Sequence, residues 1–168
     1  MYTRFLVWGT LKVLLAGLVL AAPTASAQER AKPDLDKIPA NVMQALKAKF
    51  PMAEIHKWTR EQEGDIVVYD FEFKQHGQKF EADIREDGSI HNWEKAVAFE
   101  SLPEAVKRVV NEKYPNSTPV EVLEINAVKD GKEELEGYEI VLTTADKKSV
   151  EITLAPDGKI LEDSPDPN

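Results

Sequence analysis

Leu102-Pro103-Glu104-Ala105-Val106, running on to Tyr114-Pro115, decides the fold because it restates Ile38-Pro39-Ala40-Asn41-Val42, running on to Phe50-Pro51, at a constant offset of 64 positions. Farther along, Tyr69-Asp70-Phe71-Glu72-Phe73 matches Tyr138-Glu139-Ile140-Val141-Leu142 at an offset of 69. Phe80, Ala82 and Ile84 before Asp87-Gly88 match Val150, Ile152 and Leu154 before Asp157-Gly158 at an offset of 70. The offset grows between matched segments, which places the insertions in the connecting loops. A repeat of this period means one supersecondary unit used twice.

Within each copy the apolar spacing changes from helical to extended. Pro39 suits a first helical turn, where its missing N–H costs nothing. Val42, Leu46 and Phe50 fall on one helical face, and Pro51 stops the helix by pushing the preceding residue out of the α region. Pro103, the stripe Val106, Val109, Val110 and Tyr114, and then Pro115 repeat the arrangement. Strands are predicted at 54–60, 67–73, 80–85 and 90–94, and again at 120–128, 138–144, 149–154 and 159–162. The Asp-Gly pairs are two-residue hairpin signals. Alternation with one polar face leaves one side of a sheet for the helix and the other side open. The expected fold is therefore α+β: two repeated units, each a helix packed on a four-stranded antiparallel sheet. The two sheets aligning into one is the open alternative. The expected cores are Leu46, Phe50, Phe71, Phe80 and Ile84 in the first unit, and Val110, Tyr114, Ile140, Val150 and Leu154 in the second.

The ends of the chain read differently. Arg4 and Lys12, the apolar run 13–22 and the small residues up to Ala27 read as a signal peptide over 1–27. Lys12 interrupts the run and leaves it shorter than the ~20 apolar residues of a membrane span. The expected order is a leader (1–27), a flexible lead-in (28–37), a first unit (38–94), a linker (95–101), a second unit (102–162) and a disordered tail (163–168). There is no cysteine, so an exported chain of this kind holds together by core burial alone. The formal charge is −9, and losing Arg4 and Lys12 with the leader makes it −11. Such a balance repels phosphate backbones and argues against a nucleic-acid partner.

A helix opened by Leu/Ile-Pro and closed by an aromatic-Pro pair precedes a strand carrying Trp58. An alternating aromatic strand and an Asp-Gly turn into a short last strand follow. This order resembles the PepSY-like domains grouped with β-lactamase inhibitor proteins, in tandem, over residues 38–162. The resemblance implies an exported module with a helix on an antiparallel sheet, a binding or inhibitory role, and no catalytic residues. The second copy departs from the first. Val122-Leu123-Glu124 stands near the place of Trp58, and the last strand lacks an aromatic, so the two copies need not share a binding surface.

No catalytic constellation is visible. His56, His76 and His91 are not spaced as zinc ligands, and no cysteine assists them. No His-Glu-x-x-His, phosphate-cradling glycine loop or Gly-x-Ser-x-Gly is present. The Asp-Gly pairs lack the spacing of a calcium loop. The informative motifs are His56-x-Trp58 and His91-x-Trp93. Residues two apart share a strand face. With Ile55 and Ile90 turned to the helix, His56, Trp58, His91 and Trp93 would lie on the open side beside Asp70, Glu72, Glu81 and Asp83. Aromatics amid charge anchor interfaces. The competing reading is a bulge that flips the parity and makes both tryptophans core.

The sequence thus predicts a periplasmic or secreted, non-catalytic binding module, inhibitory or not, with no cofactor or metal. Its partner would be an unidentified envelope or secreted protein, met through His56, Trp58, His91 and Trp93. No nucleic acid is expected, and no membrane once the leader is removed. The alternative is a sensor or buffer of a cation or small ligand through the acidic surface.

Overall fold

The computed structural model describes residues 33–165. The expected leader, residues 28–32 of the lead-in and residues 166–168 of the tail lie outside them. Two ten-residue helices, α1 (Ala40–Lys49) and α2 (Glu104–Lys113), each begin directly after a proline. Each closes on an aromatic residue. The Phe50 N–H donates to Leu46 O at 2.7 Å, and the Tyr114 N–H donates to Val110 O at 2.8 Å. The strands are β1 (Glu54–Glu63), β2 (Ile66–Gln75), β3 (Gln78–Arg85), β4 (Ile90–Ala96), β5 (Thr118–Lys129), β6 (Lys132–Thr143), β7 (Ser149–Leu154) and β8 (Ile160–Pro165).

All eight strands form one antiparallel sheet in sequence order. This corrects the expectation of a separate four-stranded sheet in each unit. The join is β4 against β5, from Asn92↔Ala127 to Ala96↔Leu123. Its cause lies partly in residues expected as linker. Lys95 and Ala96 stay extended, and the Val97 N–H still donates to Val122 O at 3.0 Å. In a four-stranded sheet β4 would present a bare edge, and pairing with β5 removes it. A 3-10 turn at Phe99–Ser101 then leads into α2, as one at Leu35–Lys37 leads into α1. Asp163 and Ser164, expected in a disordered tail, pair with β7.

The residues added in the second copy lengthen a hairpin. β5 and β6 have 12 residues each, against 10 each for β1 and β2. Asp130-Gly131 closes the longer hairpin with φ of 52° and 72°. Two successive positive φ values are the two-residue turn that matches strand twist. The turns at Asp87-Gly88 and Asp157-Gly158 are longer than expected. The Arg85 N–H donates to Ser89 O and the Ala155 N–H to Lys159 O, which leaves three-residue loops ending on a left-handed glycine. Each turn sits against the start of its own helix. A Cβ on Gly88 would lie 3.2 Å from Asn41 O, and one on Gly158 would lie 2.9 Å from Ala105 O.

Each helix covers its own half of the sheet. Val42, Leu46, Phe50, Phe71 and Ile84 bury together, with Phe80 packed beside them. Val106, Val110, Ile140, Val150 and Leu154 form the second core, with Tyr114 at its border. Ten-residue helices are marginal in water on their own, so this packing is what holds them.

Candidate partner-binding face

Two bulges decide where the candidate residues go. The register of β1 on β2 shifts between Ile55 and Lys57, so His56 is the extra residue. The register of β4 on β3 shifts between Ile90 and Asn92, so His91 is the extra residue. The second copy has the same bulges at Val120 and Leu161. A bulge reverses which side the following residues face. Trp58 therefore lies opposite Phe71, and Trp93 opposite Ala82. Cross-strand partners share a face, so both tryptophans are on the helix side. The expected placement of Trp58 and Trp93 on the open side is corrected by these two bulges.

The tryptophans close the first unit. Trp58 stacks on Tyr69 with ring centroids 6.2 Å apart, and its indole N–H donates to Asp34 O at 3.1 Å, which ties down residues before α1. Trp93 meets Phe50 edge-on at 6.0 Å, with the Lys49 ammonium 4.6 Å from its ring centroid. The Trp93 indole N–H is buried without an acceptor. In the second copy Val122 takes the position of Trp58, opposite Ile140. Asp163 takes that of Trp93, opposite Ile152. Its carboxylate accepts from the Tyr114 hydroxyl and lies 2.8 Å from the Lys113 ammonium.

The opposite face carries no helix among the described residues. Its register rows run Lys57, Glu72, Glu81, Glu94, Ile125 and Thr59, Asp70, Asp83, Asn92, Ala127. A third row runs Ala96, Leu123, Glu139, Thr153. Carboxylates from neighbouring strands thus flank an apolar strip of Leu123, Ile125 and Ala127 on β5, which Val141 extends onto β6; all four apolar residues are buried, as are Asp70, Glu81 and Glu94. Lys79 spans part of this face, 3.0 Å from Glu81 and hydrogen-bonded to Glu121. Burial alone would lower the Lys79 pKa, but the bonds to Glu121 and Glu81 outweigh it and raise it. Neither the apolar strip nor Glu94, Glu121 and Glu139 was identified from sequence. Their signal is the alternation of β4–β6, legible once those strands are known to continue the sheet.

His91 is the histidine held by a defined partner. Its Nδ1 lies 2.7 Å from Nη2 of Arg85, and Arg85 pairs with Val68 on the open-face register. Burial lowers the His91 pKa, and the charge of Arg85 lowers it further. The ring is thereby kept neutral, with Nδ1 accepting from the guanidinium. His56 is exposed at the edge bulge, and His76 sits in the β2–β3 turn with φ 53°. The structure does not bring the three together. Among the described residues no group of three His, Asp or Glu is arranged to hold a metal ion, and no helix is long and apolar enough to cross a membrane. On the helix side a groove of about 650 Å³ lies between α1 and the long β5–β6 hairpin, lined by Ala45, Ala48, Lys49, Ile90, Val128 and Glu133.

The family described as "Putative beta-lactamase-inhibitor-like, PepSY-like" matches the chain over residues 28–92 and again over 69–162. Solved structures share the fold. One is a DUF2874 family protein from Bacteroides uniformis, 17% identical, with 76% of this chain and 88% of that one covered and a TM-score of 0.57. A BLIP-like protein from Bacteroides fragilis is 20% identical, with 77% and 87% covered and a TM-score of 0.53. A protein from Bacteroides eggerthii, described as periplasmic in a provisional sense, is 17% identical, with 76% and 88% covered and a TM-score of 0.58. No curated protein matches in sequence.

Proposed function

Because the chain belongs to the PepSY-like, β-lactamase-inhibitor-like family, we propose that it is an exported, non-catalytic module that binds a protein partner through the open face of its sheet. One observation carries this reading. Eight strands form a continuous face, uncovered by either helix, on which carboxylates border the apolar strip of Leu123, Ile125 and Val141. The strip is itself buried, Leu123 being 1% exposed. A partner would therefore chiefly meet the half-buried Glu72, Asp83, Asn92 and Glu139 around it, side chains of the kind that form the polar rim of an interface. His56 and His91 join the contact from the bulges, while Trp58 and Trp93 act indirectly by holding the strands that carry them. The provisional periplasmic description of the Bacteroides eggerthii structure supports a periplasmic location. Inhibition is the finer form of the reading, and it rests on the family description alone.

The test compares two variants of the mature chain in capture from an envelope extract. Glu72→Lys with Glu139→Lys reverses charge on the open face, and Glu104→Lys reverses it on the exposed start of α2. The open-face variant should lose the captured partner while the helix variant keeps it. Equal capture by both would remove the reading. Inhibition is tested separately by adding the chain to purified β-lactamases and following substrate hydrolysis; unchanged rates with every enzyme would leave binding without inhibition.

A further inference from the structure

The join between the two units is built differently from the interior of either. On the helix side the two buried cores are separate, with a groove between α1 and the β5–β6 hairpin. Strand pairing at the join is five residues long, from Asn92↔Ala127 to Ala96↔Leu123. Ion pairs of a single polarity cross it. Lys49 meets Glu133, Lys79 meets Glu121, and Lys95 meets Glu124 at 3.4 Å. In each, the first unit supplies the lysine and the second the glutamate. The repeat shows that the fold does not require this. The second-unit counterparts of Lys79 and Lys95 are Ser149 and Pro165, and the first-unit counterparts of Glu121 and Glu124 are Lys57 and Arg60. The lysine–glutamate match belongs to the join and marks which edge goes with which.

We propose that β4 of one copy accepts β5 of a second copy, and the reverse, so that two chains exchange their second units in a closed two-fold dimer. Such an exchange rebuilds the contacts of the single chain between two chains, and it is a low-cost route to a dimer. Concentration decides between the two forms. The ion pairs pick the occupant, because the second unit of another copy carries Glu121, Glu124 and Glu133 at the right spacing. A copy added head to tail, β8 on β1, would set Ser149 and Pro165 against Lys57 and Arg60, with no such match. The connection permits the exchange. Residues 97–101 include no buried side chain, and Val97 and Phe99 only border the second core. Uncoiling the 3-10 turn at Phe99–Ser101 turns these five residues into about 16 Å of extended chain. The join is separate from the open face, and its exchange stands whether or not that face binds a partner.

The test refolds intact mature chains together from urea at high concentration and reads the product by sedimentation. Lys95→Glu and Glu124→Lys each place like charges at the join of their own chain, and both keep a negative net charge. Mixed, they restore opposite charges at both joins of an exchanged dimer. That dimer should exceed the dimer of either variant alone by at least about tenfold. The chain has no cysteine, so a second pair of variants reports the contact directly. Lys95→Cys and Glu124→Cys alter residues that face each other across β4 and β5. They leave the other two ion pairs in place, so they decide the matter where the charge variants fail to fold. Refolded together and oxidised, they should give a cross-link between the two different chains at least about tenfold above that of either variant alone. A mixed dimer no more abundant than the dimers of each variant alone would overturn the proposal, as would cross-linking at random among the chains.

Discussion

The end of α1 and the end of α2 solve one problem in two ways. Each must fasten the helix C-terminus to the last strand of its unit. At α1 the residues are Lys49, Phe50 and Trp93, joined by a cation over a ring and an edge-on aromatic pair. At α2 the equivalent positions hold Lys113, Tyr114 and Asp163, joined by an ion pair and a hydroxyl–carboxylate bond. The lysine is common to both. The aromatic residue and its strand partner differ together, from apolar–apolar to hydroxyl–carboxylate. A buried tryptophan contributes 150–250 Å² of surface, whereas hydrogen bonds to charged groups contribute roughly 1.5–3 kcal/mol. A tryptophan found in only one copy is thus no evidence of a surface role. It is one of two ways to close the same joint.

The sharpest way to break this equivalence is to mix its parts. Trp93→Asp puts a carboxylate beside Phe50 and Phe80 with no hydroxyl to meet it, and should cost at least about 4 kcal/mol in urea unfolding. Adding Phe50→Tyr rebuilds the second-copy pair and should recover about 1 kcal/mol or more. Strict additivity of the two changes would show that the joints are not equivalent.

The next effect tests a feature that belongs to the second copy alone. A Cβ on Gly137 would lie 2.5 Å from Leu154 O, closer than the 2.9 Å at Gly158. Gly137→Ala should therefore cost roughly 2–3 kcal/mol through backbone displacement, beyond the usual range for a surface change. Gly158→Ala, strained by its φ of 88°, should cost about 1–3 kcal/mol. A Gly137→Ala chain as stable as wild type would mean that β6 and β7 separate there at little cost.

Tyr114→Phe removes one bond of the polar joint and should cost about 1–2 kcal/mol. Burial, and then the bond to Asp163, raise the Tyr114 pKa to about 12. A raised folded pKa gives stability that is complete below the unfolded value of ~10 and is lost as pH rises through about 12. The variant should lose that alkaline limb. For Asp163, burial alone would raise the pKa, but the bonds from Lys113 and Tyr114 outweigh it and lower it. Its contribution is present above the unfolded value of ~3.9 and lost as pH falls through the folded one. An alkaline limb identical in wild type and variant would place the hydroxyl outside the joint.

The smallest effect concerns His91, which has no histidine counterpart in the second copy. Its lowered pKa makes the neutral ring the stable form in the folded chain. The linked stability is present above the unfolded value of ~6.5 and falls as pH drops through the folded one. Ring carbon shifts in NMR should titrate below the ordinary histidine range, and His91→Gln should flatten stability across that interval. A midpoint at or above ~6.5 would show that burial and Arg85 do not control the ring.

Sequence periodicity made the helices, both cores and the repeat legible, because proline boundaries and apolar spacing are local signals. Phe71 and Ile140 could be placed from alternation alone. The face of Trp58 and Trp93 could not, since it depends on whether His56 and His91 occupy a pairing position or an extra one, and only a cross-strand register decides that. The bulge was foreseeable in kind but not in place, although its recurrence at Val120 and Leu161 is a consequence of the repeat. The join of the two halves stayed open because Lys95 and Ala96 look as much like linker as like strand. The long hairpin escaped because Glu133-Glu134 reads as a charged loop, and it is the Asp130-Gly131 turn that makes it two strands.

The pairing of β4 with β5 also governs the order in which the molecule can be completed. Every strand bonds to its neighbours in sequence, so contacts form between nearby segments and closure entropy stays low. A nascent chain presents its N-terminal half first. Until residues 123–127 emerge, β4 stands as an unfinished border. Glu94, Lys95 and the interruption at His91 are then what keeps it from recruiting a strand from another molecule. The junction that makes one sheet of two units is, during synthesis, the point at which the first half waits for the second.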